Sequence, residues 1–307
     1  ASPSARCPPE RRADPALRPY YAGNVALHAV VSLLLLAAAR RLGLDPRAAL
    51  VGALLFAVHP LPAEAVQQVV GRAELLAAGF MLLGLILLTR WGPFSSHAFW
   101  QQPLCLALAL GSKEHAVLYP LLVALAALAA PVGWLPGDRG WRRWVATGQW
   151  RRLTALLALL GGVIVLFLLV RWAVTGGLLV TLPSAPYSEN PLAPMPPLRR
   201  LPAALGILGY AAGHLVWPLG LSPDYSAVSL PFERGWDWPW AWAGTALLAI
   251  LLIYAVVDAR RRGRGWALAA AGLAGWLLIS NLPFVIGVAA ARRLWYWPAA
   301  AACLARV

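Results

Sequence analysis

Long apolar runs separated by short clusters of arginine are the feature that most limits how this chain can fold. Hydrophobic residues make up 60% of the 307 residues and charged residues only 12%, which is more apolar side chain than the core of a water-soluble domain absorbs. The runs are rich in Leu and Ala and show no period of two, so they favour helices over the alternating strands of a membrane barrel. The sequence therefore predicts an all-α, polytopic integral membrane protein built as a helical bundle.

The positive charge of the chain indicates its topology. The formal net charge is +14, but the arginines lie mostly at the ends of apolar runs, where the positive-inside rule places them on the cytoplasmic side. We therefore expect membrane lipid as a partner and no nucleic acid. Cys7, Cys105 and Cys303 have no metal-binding spacing, so the sequence supports neither a zinc site nor a disulfide framework, and we expect no cofactor.

The arginine clusters and the run lengths give an order of membrane segments. Residues 1–20 are too polar to span and are interpreted as the remnant of an outer loop, and residues 21–307 as one transmembrane domain cut at both ends. The run 201–217 is predicted to be interfacial or re-entrant, because the next segment must lead into the cytoplasmic arginines after position 259. The predicted membrane segments are 22–39, 48–58, 75–88, 103–130, 153–174, 240–257 and 266–286, followed by a last helix that turns inward.

The run 103–130 is predicted to be a hairpin of two short helices, because the arginines between positions 139 and 152 belong on the cytoplasmic side. Its polar break contains Lys113, the only lysine of the chain, beside Glu114. We predict that both side chains face the outer side, where the compact charge of a lysine suits an anion. The alternative is that Lys113 only neutralises a neighbouring carboxylate.

A polar insert at residues 59–74 is the strongest candidate site. Ionisable groups are costly inside a bilayer, so its His59, Glu64, Arg72 and Glu74 should face a water-filled cavity or a partner. The alternative is an ordinary interfacial loop in which Glu64 and Arg72 pair with each other or with solvent. The predicted topology places these residues on one outer side, in one shared cavity, together with Lys113, Glu114, Asp224 and Arg293.

Such a cavity suits a phosphate carried by a lipid. Lysine and arginine neutralise a phosphate and stabilise the charge that develops when it leaves, and a carboxylate can act as general base toward an acceptor hydroxyl. These groups are typical of a glycosyltransferase that uses a polyprenyl-phosphate sugar. The sequence has no Gly-rich phosphate loop, no zinc-protease helix motif and no serine-hydrolase arrangement. The competing class is a transporter or a non-catalytic scaffold, and a transporter needs polar groups accessible from both sides.

Four segments resemble, in order, motifs of the transmembrane-and-TPR-repeat O-mannosyltransferases, which belong to the GT-C superfamily of membrane glycosyltransferases. Residues 59–76 are similar to the HPxxxEAV and GRxELL motifs of that family, and residues 111–114 to its LSKE motif. Residues 190–191 together with 217–226 are similar to its NP and WPxxLSxDYS motifs, and residues 292–298 to its ERLLYLPS motif. The resemblance covers nearly the whole chain from Tyr21 onward.

The resemblance implies a GT-C fold that transfers mannose or a related hexose from a polyprenyl-phosphate donor to Ser or Thr of an acceptor protein. Transfer is expected at the outer or lumenal face of a multi-pass membrane protein, in the bacterial inner membrane or the eukaryotic endoplasmic reticulum. The expected catalytic carboxylates are Glu64 and Asp224. The residues expected to bind the donor phosphate or the substrate are His59, Arg72, Glu74, Lys113, Glu114, Tyr225, Arg293 and Tyr296.

Two departures from the family pattern limit this expectation. Arg292 stands where the ERLLYLPS motif has Glu. The acidic residue that the superfamily usually carries after its first helix is also missing, as are that helix and the TPR repeats. We therefore expect that the chain as given binds a donor but does not catalyse transfer by itself.

Overall fold

The structure, a computed structural model, describes residues 18–92, 95–129, 149–176, 187, 190–219, 225, 230–261, 263 and 265–305. Within these residues the regular structure is helical and no strand occurs, so the prediction of an all-α membrane bundle is confirmed. Short 3₁₀ turns occupy Glu114–Leu118, Phe232–Asp237 and Arg292–Trp295. The α-helices are α1 Arg18–Arg41, α2 Pro46–Val58, α3 Ala63–Gln67, α4 Arg72–Trp91, α5 Ala98–Ser112, α6 Tyr119–Ala129, α7 Gln149–Thr175, α8 Pro197–Val216, α9 Pro239–Arg260, α10 Gly265–Ile279 and α11 Tyr296–Ala305.

Four of the described helices are long and apolar enough to cross a membrane: α1, α4, α7 from Trp150, and α9. Helices α2 and α10 are apolar but shorter. The predicted span 266–286 is too long, since α10 ends at Ile279. It ends there because Asn281 adopts a left-handed backbone conformation with φ 59°, and Pro283 follows two residues later; both features stop helices.

The helices that face the core form one bundle with two distinguishable ends. Helices α1 and α4 run parallel, since Asn24 near the start of α1 contacts Arg72 at the start of α4, and both helices end in arginine-containing turns. We call the end that contains Asn24 and Arg72 the site end, and the end with Arg40 and Arg41 the arginine end. At the arginine end, Asp45 caps α2 by accepting hydrogen bonds from Arg47 N and Ala48 N.

The chain reverses direction between α5 and α6, as the hairpin prediction requires. Lys113 is extended, with φ −155° and ψ 138°, and ends α5. The hydroxyl of Tyr119 donates to the side-chain oxygen of Gln102, although residues 17 apart in one continuous helix lie about 25 Å from each other along its axis. Helix α7 confirms the direction, since Leu153 near its start packs with Ala127 while Arg171 near its end reaches the hairpin turn.

Helix α8 lies across the site end and does not cross the bundle, as predicted for residues 201–217. Near its start Arg200 donates to Asn281 O at 3.3 Å, and near its end Leu215 O accepts from His59 at 3.0 Å. Both partners belong to the site end. Helix α8 packs closely on α9 because small residues face each other: a Cβ atom at Gly209 would clash with Trp240 O and Gly244 N.

Candidate functional site

Glu64 and Arg293 form the central contact of the site end. Glu64 lies on the short helix α3 and is buried, and one of its carboxylate oxygens accepts from Arg293 N at 3.2 Å. The other oxygen accepts from Arg293 Nη1 at 3.2 Å, and the same nitrogen donates to Gln68 Oε1 at 2.9 Å. This charge-assisted pairing fixes the turn Arg292–Trp295 against α3.

His59 joins the polar insert to α8. Leu61 N donates to His59 Nδ1 at 3.1 Å, so Nδ1 is the acceptor and Nε2 carries the proton that is donated to Leu215 O at 3.0 Å. Both ring nitrogens are therefore used within the protein. The role of His59 in this geometry is to position the polar insert and α8 relative to each other.

A half-open cavity lies between the polar insert, α8 and the turn Arg292–Trp295, and its space of about 20 Å³ holds about one water molecule. Burial raises the pKa of Tyr210 above its ordinary value, so its phenol is neutral and can donate a hydrogen bond. The walls are mostly apolar and aromatic. The lining residues that matter here are Leu61, Tyr210, His214, Tyr225, Arg292 and Trp295.

Two asparagines shape the loop that leads into this cavity. Asn281 donates to Val288 O and Ala289 O at 3.3 and 3.2 Å. Asn190 donates to Asn281 Oδ1 at 3.0 Å and to Ile286 O at 2.6 Å. Both side chains are buried. Because buried polar groups are costly unless they are hydrogen-bonded, this network specifies one conformation for the loop that presents Arg292.

A second cluster at the site end contains Glu74, Lys113 and His115. Glu74 is 2% exposed, and its carboxylate lies 3.3 Å from Lys113 Nζ and 3.1 Å from His115 Nδ1. Glu74 Oε1 accepts no aligned hydrogen bond within the described structure, so its contact with Lys113 is chiefly electrostatic. Lys113 thus pairs with a carboxylate, which was the alternative interpretation of its position, and it does not pair with the adjacent Glu114.

Glu114 pairs with Arg171 of α7 at 2.6 Å. Partial burial opposes ionisation of Glu114, but the hydrogen bond and charge of Arg171 outweigh it, so the pKa of Glu114 lies below its ordinary value. The Glu114 side chain is 55% exposed, and an exposed pair of this kind contributes little to stability. The contact fixes the hairpin turn against α7.

Arg72 does not pair with Glu64, so the pairing considered in the alternative interpretation of the insert is wrong. Its Nε donates to Asn24 Oδ1 at 3.0 Å and its Nη2 to Tyr20 O at 3.2 Å. Asn24 in turn donates to Val66 O and Gln68 O at 3.2 and 2.8 Å. Arg72 therefore connects α4 with α1, because it lies in the first turn of α4 and its side chain extends toward α1.

The predicted site residues form several groups at the site end. His59, Glu64, Tyr225 and Arg293 line or brace the half-open cavity, and Glu74, Lys113 and Glu114 lie around the hairpin turn. Tyr296 is buried in the bundle, where its hydroxyl and His28 Nδ1 are 2.7 Å apart. Asp224 lies outside the described residues.

Several residues of this network were missed by sequence reasoning. Each of five such residues contacts a predicted site residue: Asn24, His28, Gln68, His115 and Arg171. Three of them lie within apolar runs, where a lone polar residue is the only signal. Among the described residues no group of three or more His, Cys, Asp or Glu side chains could hold a metal ion.

The fold and this site define a polytopic α-helical membrane protein whose polar residues are collected at one end of its bundle. Comparison with known proteins then shows what the chain is similar to. The chain is 49% identical over 71 residues to the protein O-mannosyl-transferase TMTC3 of Mus musculus, which covers 23% of this chain and 8% of the relative. It is 29% identical over 306 residues to the protein O-mannosyl-transferase Tmtc3 of Drosophila melanogaster, covering 83% of this chain and 31% of the relative.

A third relative, the protein O-mannosyl-transferase Tmtc1 of Drosophila melanogaster, is 31% identical over 234 residues, covering 71% of this chain and 26% of the relative. The chain is thus homologous to the protein O-mannosyl-transferases, and the resemblance seen in its motifs is confirmed. It spans less than a third of the length of these relatives. No protein-family profile and no solved structure matches it significantly.

Proposed function

We propose that this chain is the membrane portion of a glycosyltransferase that transfers mannose or a related hexose from a polyprenyl-phosphate donor to Ser or Thr of an acceptor protein. The observation that carries the proposal is the homology to proteins named protein O-mannosyl-transferases. The gathering of carboxylates, cations and a cavity at one end of the bundle supports it. That end is proposed to face the outside or the lumen, because the other end has the arginine clusters.

In the proposed reaction an acceptor hydroxyl attacks the anomeric carbon of the sugar. The bond between that carbon and the phosphate oxygen breaks, and the polyprenyl phosphate leaves with the electron pair. The hydroxyl proton passes to a carboxylate base. Cations near the phosphate stabilise the negative charge that develops on the leaving group.

Among the carboxylates of this chain, Asp224 is proposed as the base in preference to Glu64. Both carboxylate oxygens of Glu64 already accept hydrogen bonds from Arg293, so both are engaged within the protein. Asp224 precedes Tyr225 in the chain, and Tyr225 lines the half-open cavity. Glu64 then acts as a positioning residue for the turn Arg292–Trp295.

Lys113 remains a candidate contact for the donor phosphate. Its side chain is 28% exposed, and an ammonium group has three N–H donors, so it can bind an anion while it pairs with Glu74. His115 contacts the same carboxylate and completes a polar cluster next to the hairpin turn. An ion bound here would share Lys113 with Glu74.

A transporter would need ionisable groups that are reachable from both ends of the bundle. Within the described residues, the carboxylates toward the arginine end are Asp45 and Asp258, and both accept hydrogen bonds from backbone N–H groups at the starts of helices. They act as helix caps. This arrangement favours the enzyme over the transporter.

The test is a transfer assay with the full-length protein in sealed membrane vesicles. Radiolabelled mannose on polyprenyl phosphate and a Ser/Thr-rich acceptor peptide are supplied, and the label on the peptide is counted. We expect transfer to acceptor on the side that the site end faces. Loss of general-base catalysis typically costs about 10²–10⁴-fold, so Asp224→Asn should reduce the rate by that factor. Absence of mannose transfer by the unaltered protein would refute the proposal.

A further inference from the structure

The carboxylate of Glu74 is shared by two basic side chains, and one of them can change its charge near neutral pH. Glu74 lies in the first turn of α4 and is 2% exposed. Its Oε1 lies 3.3 Å from Lys113 Nζ, and its Oε2 lies 3.1 Å from His115 Nδ1. Histidine is the side chain whose charge ordinarily changes between about pH 5 and about pH 8. Glu74 therefore faces either one or two positive charges, depending on the protonation of His115.

The geometry assigns the positions of the two His115 protons. An ionised carboxylate only accepts hydrogen bonds, so the ring nitrogen beside Glu74 Oε2 carries the proton of the neutral imidazole. A second proton then binds at Nε2 and converts the ring into a cation. The His115 side chain is 18% exposed, so solvent can supply this proton. His115 can thus gain its charge while its contact with Glu74 is kept.

Lys113 is less firmly engaged by Glu74 than the distance alone indicates. Glu74 Oε1 accepts no aligned hydrogen bond within the described structure, so the N–H groups of Lys113 are not directed at it. The Lys113 side chain is 28% exposed, which leaves its ammonium group open to a ligand. When His115 is neutral, the charge of Lys113 balances Glu74. When His115 is charged, the imidazolium balances Glu74, and the charge of Lys113 becomes available to an anion.

The charged and titratable groups on the elements packed around the hairpin turn are engaged elsewhere or buried. Helix α10 has no titratable side chain. Those on the other elements near the turn are Arg72, which binds Asn24, Glu114 and Arg171, which pair with each other, Tyr119, which binds Gln102, and Cys105, a buried thiol. The charge balance of Lys113 is therefore set by Glu74 and His115.

We propose that His115 is a positioning residue for the donor: its imidazolium takes over Glu74 and thereby frees Lys113 to bind the donor phosphate. That Lys113 meets this phosphate rests on the proposed function. The phosphodiester of a lipid-linked sugar keeps one negative charge near neutral pH, so a change of its affinity with pH arises in the protein. Charged His115 makes the cluster net positive, and neutral His115 leaves it uncharged. Affinity for the donor therefore rises as the pH falls through the range in which His115 takes up its proton.

The test measures equilibrium binding of radiolabelled polyprenyl-phosphate mannose to the full-length protein in detergent at about pH 5 and about pH 8. We expect the unaltered protein to bind the donor about fivefold more tightly at the lower pH, the size of effect typical of a partly exposed charge. Lys113→Gln should bind weakly at both pH values, because the charge that His115 frees is then missing.

Two substitutions of His115 bracket its two charge states. His115→Gln keeps a neutral N–H donor toward Glu74 and should bind the donor weakly at both pH values. His115→Lys carries a permanent charge and should bind it tightly at both. The matched control is His97→Gln at an exposed position before α5, which should keep the full pH dependence. Thermal unfolding of each variant shows that it is folded.

The outcomes separate this inference from the proposed function. A purely structural His115 would change the affinity by the same factor at both pH values in both variants, and that result would overturn the inference. So would pH-independent binding by the unaltered protein, or no donor binding at either pH. In the transfer assay the KM for the donor, and not kcat, should follow the charge of His115. Transfer with a pH-independent KM refutes the inference alone, whereas His115-dependent donor binding without transfer refutes the proposed function alone.

Discussion

Glu64 and Arg293, which are 229 positions apart in the chain, are joined by one hydrogen bond to the Arg293 backbone and one to its side chain. The pair connects the short helix after α2 with the turn before α11. Because the Glu64 side chain is 7% exposed and that of Arg293 27%, the contact is largely shielded from water. It holds the cavity wall that contains Arg292.

Replacement of Glu64 should therefore destabilise the protein. Glu64→Ala leaves two donors of Arg293 without their acceptor, and we expect a loss of about 1–3 kcal/mol in the free energy of unfolding. Glu64→Gln keeps an acceptor and should lose less. Thermal unfolding in detergent measures both. Glu233→Ala at an exposed position is the control, and a Glu64→Ala variant as stable as this control would contradict the assigned contact.

The contact between Glu74 and Lys113 should show energetic coupling. A double-mutant cycle with Glu74→Gln and Lys113→Gln isolates the pair, and neighbours of this kind typically couple by about 0.5–3 kcal/mol. The exposed pair Glu114 and Arg171 is the comparison and should couple by less than about 1 kcal/mol. Both cycles are measured as changes in the free energy of unfolding. If the first coupling is no larger than the second, burial does not strengthen the Glu74 contact.

Packing around the hairpin should be sensitive to one methyl group at Gly84. A Cβ atom there would clash with the Tyr119 hydroxyl and would lie 3.1 Å from Cys105 Cβ. Overpacking of this kind costs about 1–3 kcal/mol, so Gly84→Ala should lower the unfolding temperature. Gly79→Ala on the same helix is the matched control, since its Cβ meets only Val31 Cγ2 at 3.7 Å. Equal effects of the two substitutions would argue against the hairpin packing.

The two ends of the bundle should lie on opposite sides of the membrane. In a background with the native cysteines replaced by Ser, Glu114→Cys and Arg41→Cys place single thiols at the site end and at the arginine end, and both positions are exposed. We expect a membrane-impermeant maleimide to label Glu114→Cys from outside sealed cells and Arg41→Cys only after permeabilisation. Labelling of both from outside would overturn the topology.

Much of the fold could be predicted from the sequence, because the bilayer constrains the length of its helices and the side on which arginines lie. Run length and arginine position gave the helix order, the hairpin and the interfacial placement of α8. Helix ends were less well predicted: Arg72 and Glu74 were assigned to a loop because they are charged, yet they form the first turn of α4. A carboxylate in a first turn is favourable, so the charges there indicated a helix start.

The partners within the site could not be predicted from the sequence. Nearness along the chain suggested a pair of Arg72 with Glu64 as one alternative, but the helical direction of α4 takes the Arg72 side chain to Asn24. Glu74 finds Lys113 and His115 only because the hairpin brings the end of α5 back beside the start of α4. These contacts depend on the packing of helices that are far apart in sequence. No local sequence pattern encodes that packing.

Helix α9 links the position of one cavity wall to the thickness of the surrounding bilayer. Only 11% of its membrane-spanning window is buried, and its close glycine contacts are with α8, which forms one wall of the cavity. A helix that is longer than the local hydrocarbon layer tilts to match it, and α8 must follow because the two backbones touch. We therefore expect the rate of mannose transfer by the full-length protein to differ between nanodiscs made of short-chain and long-chain lipids. Equal rates would show that the site end is mechanically isolated from the bilayer.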